Sequence, residues 1–441
     1  MSYDVIVVGG GIGGLTISAL MAAREVDVAL FERQSNVGGC AAKVEHLGHS
    51  FDPTFGLFSG WEAGGVWERV FVELPVAAPQ VTKLSTNFVV RLADGTDIPV
   101  SSDRAALEQN VAKAFPDCAD EAIRFLRATL DSDPDLGSLG NTTQNFHSFI
   151  DAQLSFLSQS TIDTAEPFRL TDTLKLATGD LWEIDGGAQS LTDCLVDSFK
   201  KSGGRLRLNS PVLRLAYADD GTPNGIDLLS GERVTATRAI VSNLTIWDTY
   251  GKLVGLRRTP PGISAQLREM SARGVYQIFM LIDEAAIASL PASRMIFAST
   301  IQEGSAAHMM LNVASKEQSS LTQKRSATLT AYTDVNEWFA FHEDASWHEE
   351  LDQAALERIW GNLHAVAPEV ASGGEILATA TPQTYYESLR RKMGMVGAPS
   401  PALSDTSTHL NNLFLLGDTA GQGIGLAGLA EQAYRLARSL T

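Results

Sequence analysis

The sequence predicts an α/β protein: a nucleotide-binding domain on a parallel sheet, assembled from separated stretches of chain, plus a second domain of mixed sheet and helix. Three observations predict it. The chain opens on a strand-like apolar run, a glycine-rich turn and a helix-like run, MSYDVIVVGGGIGGLTISALMAA. It closes on another apolar run and glycine loop, NLFLLGDTAGQGIGLAGLAEQA. At 441 residues it exceeds one ordinary core, so two connected domains are expected.

Residues 4–8 read as the first strand, and Gly9, Gly11 and Gly14 follow in G-x-G-x-x-G spacing before helix-compatible residues 15–23. The first glycine permits the tight turn and the second lets a pyrophosphate reach the backbone. The third lets helix and strand pack closely, with the anion at the helix N-terminus. A second strand, residues 28–31, ends at Glu32, eighteen residues beyond Gly14. That is close to the ~20 at which a carboxylate holds a ribose hydroxyl. Glycines alone would serve any tight turn; strand, helix and acid together favour a dinucleotide. Glu32, Arg33, Gly38 and Gly39 then spell E-R-x-x-x-x-G-G. This resembles the flavoprotein form of the motif, in which the paired glycines turn the chain past the FAD pyrophosphate, so FAD is expected over NAD.

At the other end, Gly423, Gly425 and Gly428 repeat the glycine spacing, but no second strand with a ribose acid fits before Thr441. The expectation is one site built from both ends. Residues 413–416 read as a buried parallel strand, followed by Gly417-Asp418 and a helix carried by Leu426, Leu429, Ala433, Leu436 and Leu440. The arrangement resembles the second FAD motif of flavoproteins, in which the Asp faces the ribityl chain. There the positive helix end suits the negative charge of reduced flavin.

A net charge of −18 disfavours nucleic acid and a polybasic grip on lipid, while leaving room for apolar peripheral membrane contact. Three scattered cysteines, Cys40, Cys118 and Cys194, argue against a disulfide framework or a metal site and fit a reducing, cytoplasmic compartment. The apolar start lacks the basic region of a signal peptide, and no run is long enough to span a membrane.

Between the ends, residues 186–243 predict a helix with Leu191, Leu195 and Phe199 on one face, a strand near Leu206, another at 212–217, and a β-meander ending in Val-Ser-Asn. Residues 88–100 alternate around the turn Asp94-Gly95, and 103–160 turn helical. Residues 275–282, 309–313 and 327–332 are strand-like, and 347–364 read as a helix.

Taken together, the glycine-rich start, Lys-x-Gly-Gly after the middle helix, Val-Ser-Asn, and the terminal Gly-Asp with its G-Q-G loop resemble the phytoene desaturase family, which includes carotenoid isomerases and retinol saturases. The resemblance implies a Rossmann-type discontinuous FAD-binding domain from residues 1–56, 186–258 and 396–441, and a substrate domain from 57–185 and 259–395, in a fold shared with amine oxidases. It places Gly9, Gly11, Ile12, Gly13, Gly14, Glu32, Arg33, Gly38, Gly39, Cys40, Gly417, Asp418, Gly423, Ile424 and Gly425 at the cofactor, with Val212 offering its backbone to the adenine side. It implies an FAD-dependent oxidoreductase that desaturates, isomerises or saturates a lipophilic, isoprenoid-like small molecule by hydride transfer at flavin N5. The alternatives are an amine or amino-acid oxidase of the same fold, an aromatic hydroxylase, and a flavin-binding protein without turnover. Amine oxidases often carry Arg after the second Gly-Gly glycine, where this chain has Cys40.

Candidate side chains each have a plain reading beside the functional one. Cys40 would touch or bond flavin, or simply fill space beside it. Asp52, Tyr385 and Tyr386 would contact substrate, or serve as a turn and ordinary sheet packing. Arg390, Arg391 and Lys392 would attract an anion, or form a solvated cluster; His46 and His49 would sit at the flavin edge, or in an exposed loop.

Overall fold

The structure is a computed structural model that describes residues 1–132, 136–298, 308–315, 323–340, 344–400, 408–420 and 425–441. Two seven-stranded sheets organise it. In the first, the opening strand Ser2–Val8 lies near the centre, with Val28–Phe31 and Arg205–Arg207 parallel on one side and Arg233–Ser242 parallel on the other. Strand Arg233–Ser242 changes partner along its length. Its first residues pair antiparallel with Pro223–Leu228, and Ile240–Ser242 pair parallel with Leu413–Leu415 from the end of the chain. The last strand thus ends beside the first glycine loop, which is how two distant sequence ends reach one place.

The helix Ile12–Ala23 is buried almost all round, so it shows no polar stripe. It packs with Gly187–Lys201 and Gly425–Leu440 through Leu15, Leu20, Leu191, Leu195, Phe199, Ala433 and Ala437. The helix Val66–Glu73 joins this layer through Trp67 and Val70.

The second sheet runs Gly374–Ala380, Gly274–Asp283, Lys324–Thr333, His308–Val313, Arg294–Ala298, Phe88–Arg91 and Asp97–Val100. It is covered on both faces, and strand Gly274–Asp283 shows the consequence. Val275, Phe279 and Leu281 face one cluster, with Phe146, Phe149 and Ile150 of helix Gln144–Ser158. Ile278, Met280 and Ile282 face another, with Ile359 and Leu363 of helix Ala345–Val366. Two apolar faces make a continuous apolar run. Phe88–Arg91 departs from the expected in–out alternation for the same reason: all four residues are buried.

Candidate functional site

The strands Ser2–Val8, Val28–Phe31 and Arg233–Ser242 end on the same side of the first sheet, and a cavity of about 1110 Å³ opens there, continuing to Phe279, Tyr332 and Ala380 of the second sheet. Ligand sites in open parallel sheets lie beyond the carboxyl ends of the strands. The volume exceeds the ~300–1,000 Å³ of ordinary small-molecule pockets.

At one end, Gly9 turns the chain at a φ of +101°, and a Cβ on Gly14 would stand 2.2 Å from the Gly9 carbonyl oxygen. Gly9, Gly11, Ile12 and Gly13 line the cavity, whereas Gly14 serves the packing behind them. Gly11 caps the helix Ile12–Ala23 without a side chain, and no acid lies in the first turn, which leaves the N–H groups of that turn free of side-chain acceptors from the helix itself. Glu32 lines the cavity and shapes its wall: Oε2 accepts the Gly10 N–H at 2.7 Å and Oε1 the Gln34 N–H at 2.7 Å. The Gly38 N–H donates to the Gly10 carbonyl at 2.8 Å, joining the two glycine segments. Arg33 and Gln34 both donate to the carbonyl of Ser388. Val212, Gly38, Gly39, Gly417 and Gly425 line the same cavity; Gly423 and Ile424 lie outside the described residues.

Asp418 and Arg391 meet in the middle. Arg391 Nη2 donates to Asp418 Oδ2 at 2.7 Å, and Arg391 Nε donates to the Met395 carbonyl at 2.6 Å. Burial alone would lower the Arg391 pKa, but the negative charges around it, Asp418 foremost, hold it above the ordinary value. This corrects the reading of residues 390–392 as one solvated cluster: Arg390 and Lys392 are exposed, whereas Arg391 lies under the returning end of the chain. Cys40 sits against Arg391; burial pushes its thiol up, and the nearby guanidinium only partly opposes this. A guanidinium therefore stands beside Cys40, in the region where amine oxidases often carry the arginine that this position lacks.

The other arm of the cavity is apolar and aromatic. Phe55 packs edge-on to Phe156, with ring centroids 5.6 Å apart, and Phe156 lies 5.6 Å from the Tyr332 ring. Burial pushes the Tyr332 hydroxyl up to about 12 and raises Tyr385 as well. Tyr385 and Tyr386 both line the cavity from helix Pro382–Leu389, not from a sheet as expected. The capping box of Thr381 and Thr384, with Pro382 at the first helical position, starts that helix. Tyr385 donates its hydroxyl to Gln277 Oε1 at 2.7 Å.

Asp52 takes the plainer of its two readings, at a turn and a helix end. Its Oδ1 accepts the Thr54 N–H at 2.8 Å and its Oδ2 the Ala188 N–H at 3.4 Å, at the start of helix Gly187–Lys201, beside a separate small pocket. It holds that helix end rather than lining the large cavity. His46 and His49 pair across a short hairpin and line neither pocket.

The comparisons with known proteins agree with this geometry. Residues 7–74 match the family model of an NAD(P)-binding Rossmann-like domain. Over 315 residues the chain is 23% identical to a phytoene desaturase of Cercospora nicotianae, covering 61% of this chain and 49% of that protein. The sequence is thus similar to phytoene desaturases at low identity. It spans about half the length of the relatives it matches. A crystal structure of an oxidoreductase from Methanosarcina mazei superposes with a TM-score of 0.75 at 16% identity, over 99% of this chain and 100% of that one. Putrescine oxidase bound to putrescine gives a TM-score of 0.64 at 14% identity, over 100% and 99%. The chain thus shares the fold of these flavoprotein-like structures, the amine-oxidase-like fold.

Two cavity residues, Asn243 and Phe156, escape sequence reasoning, and a third, Arg391, is named there only as one of a run. Asn243, legible only as the end of Val-Ser-Asn, donates its N–H to Val8 and sets its side chain against the glycine loop. Arg391 is hidden in a basic run, and Phe156 in a helix whose apolar positions all look like core. Among the described residues, no group of three His, Cys, Asp or Glu could hold a metal, and no helix is long and apolar enough to cross a membrane.

Proposed function

We propose that this chain binds FAD along the cavity and exchanges a hydride between the flavin and a lipophilic, isoprenoid-like substrate, desaturating, isomerising or saturating it. The observation that carries the reading is the continuity of the cavity, from the glycine loop and Glu32, past Asp418, into the aromatic arm at Phe156 and Tyr332. The residues fit the cofactor: an uncapped helix end for the pyrophosphate, Glu32 and Val212 on the nucleoside side, and Asp418 and Gly425 further along. Bound FAD would supply a hydride acceptor or donor at N5.

The chain's own work is positioning and exclusion of water. Arg391 fixes the Asp418 carboxylate, and Tyr332, Tyr385 and Phe279 wall the substrate arm with buried surface. The buried tyrosine hydroxyls stay protonated at neutral pH, which suits them as hydrogen-bond donors and not as bases. The likeness to putrescine oxidase favours amine oxidation as a second reading.

Anaerobic absorbance spectra of the purified protein decide between them. Bleaching of the flavin band by an isoprenoid supports the desaturase reading, bleaching by an amine moves the enzyme to the oxidase branch, and bleaching by NAD(P)H alone points to a hydroxylase. A protein that keeps FAD but is reduced by none of these is a binding protein. One that takes up no FAD removes the reading altogether.

A further inference from the structure

We infer that the substrate is an amphiphile whose apolar chain ends in an anionic group, and that Arg169 receives that group at the cavity mouth. This rests on the reading of the cavity as a flavin and substrate site. Helix Pro167–Thr178 lines the cavity with Phe168, Arg169, Asp172 and Leu176. Residues 168, 172 and 176 are four apart and share one face. That face runs from outside to inside. Phe168 is 50% exposed, Leu176 is partly buried, and Leu181 just beyond the helix is 1% exposed. An apolar chain lying along it would place its far end on Leu181 and Phe156 and its near end beside Arg169.

Arg169 is a partly buried charge there without a carboxylate to answer it among the described residues, and its guanidinium makes no ion pair or hydrogen bond among them. Of the other cations lining the cavity, Lys43 pairs with Glu45 at 2.6 Å, Lys252 with Asp248 at 2.7 Å and Arg391 with Asp418 at 2.7 Å, Arg33 donates to the Ser388 carbonyl, and Arg390 is exposed to solvent. Asp172, one turn along, is exposed and forms no ion pair with Arg169. Arg169 also lies in the first turn of its helix, whose exposed N-cap residue, Glu166, forms no ion pair with it. A partly desolvated guanidinium between an apolar wall and the mouth offers a planar fork matched to a carboxylate or phosphate. A purely hydrocarbon substrate would leave it unanswered.

The test uses the FAD-loaded protein and the fluorescent polyene cis-parinaric acid, its methyl ester, and dodecyl phosphate as a competitor. The acid is expected to bind about ten- to a hundredfold more tightly than the ester, the range of one charge-assisted hydrogen-bonded pair. Arg169→Gln should erase that difference while leaving ester affinity and FAD content unchanged, and Arg169→Lys should restore part of it. Strong competition by dodecyl phosphate would assign a phosphate head group, and weak competition a carboxylate. Equal binding of acid and ester by the unaltered protein, or equal weakening of both by Arg169→Gln, overturns the inference and leaves the lipophilic reading standing. If neither probe binds while FAD is retained, the lipophilic reading fails and this inference with it.

Discussion

Arg391 and Asp418 are brought within 2.7 Å of each other by a carboxylate oxygen, Asp418 Oδ2, that also accepts the Gly397 N–H at 3.0 Å. One oxygen thus joins the segment after helix Pro382–Leu389 to the strand that closes the first sheet. Removing the guanidinium leaves a carboxylate that is about one-third exposed with a single donor. Arg391→Met is expected to lower unfolding free energy by about 1.5–3 kcal/mol and to reduce the flavin-to-protein ratio on purification. A variant with unchanged urea midpoint and full flavin content would show that the pair is incidental.

The glycine turn makes a sharper demand. A Cβ at Gly14 would meet the Gly9 carbonyl at 2.2 Å, and that carbonyl is backbone, fixed by the turn. Gly14→Ala should therefore push the helix Ile12–Ala23 off the strand, costing at least ~1–3 kcal/mol by overpacking and abolishing FAD retention even where the protein still folds. Circular dichroism with flavin quantitation separates the two effects.

Asp52 connects to pH. Burial raises its carboxyl pKa, opposed by the donors at Thr54 and Ala188. A group whose folded pKa is raised contributes stability below its unfolded value of 3.8, and this is lost as pH rises through the higher folded value. Asp52→Asn removes the buried charge and keeps an acceptor for Thr54. Its urea midpoint should therefore fall less than that of the unaltered protein between pH 4 and pH 7, with turnover unaffected. A large loss of turnover at unchanged stability would return Asp52 to the substrate site.

Cys40 lines the cavity proposed for the flavin, yet burial holds its thiol above the ordinary value of 9.0, so little thiolate is present at neutral pH. The expected outcome is a noncovalent cofactor. Acid precipitation should leave a colourless pellet and all the flavin in solution, whereas yellow pellet carrying a flavinylated Cys40 peptide would contradict it.

Much of the fold is legible from residue pattern, because the elements that carry it are local. The glycine spacing, the acid at Glu32, the apolar strands and the meander each follow from a short stretch of chain and its backbone needs. Helix Pro382–Leu389 is missed: its cap Thr381-Pro382-Gln383-Thr384 is present in the sequence, but the aromatic pair beside it reads equally well as sheet. Arg390, Arg391 and Lys392 show where pattern stops. Three adjacent cations look alike in sequence, and nothing local says which one the chain end covers.

By itself, the sequence determined an α/β chain with a dinucleotide turn at its start and a matching helix end at its close, since φ, close approach and apolar periodicity are imposed residue by residue. Only the tertiary structure decided that strand Arg233–Ser242 pairs with both ends, that Asp52 holds a helix end, and that Arg391 lies against Asp418 while the Arg169 guanidinium meets no ion-pair partner among the described residues. Burial and charge pairing depend on which distant segments meet, and those meetings arise only when the sheets close over their cores.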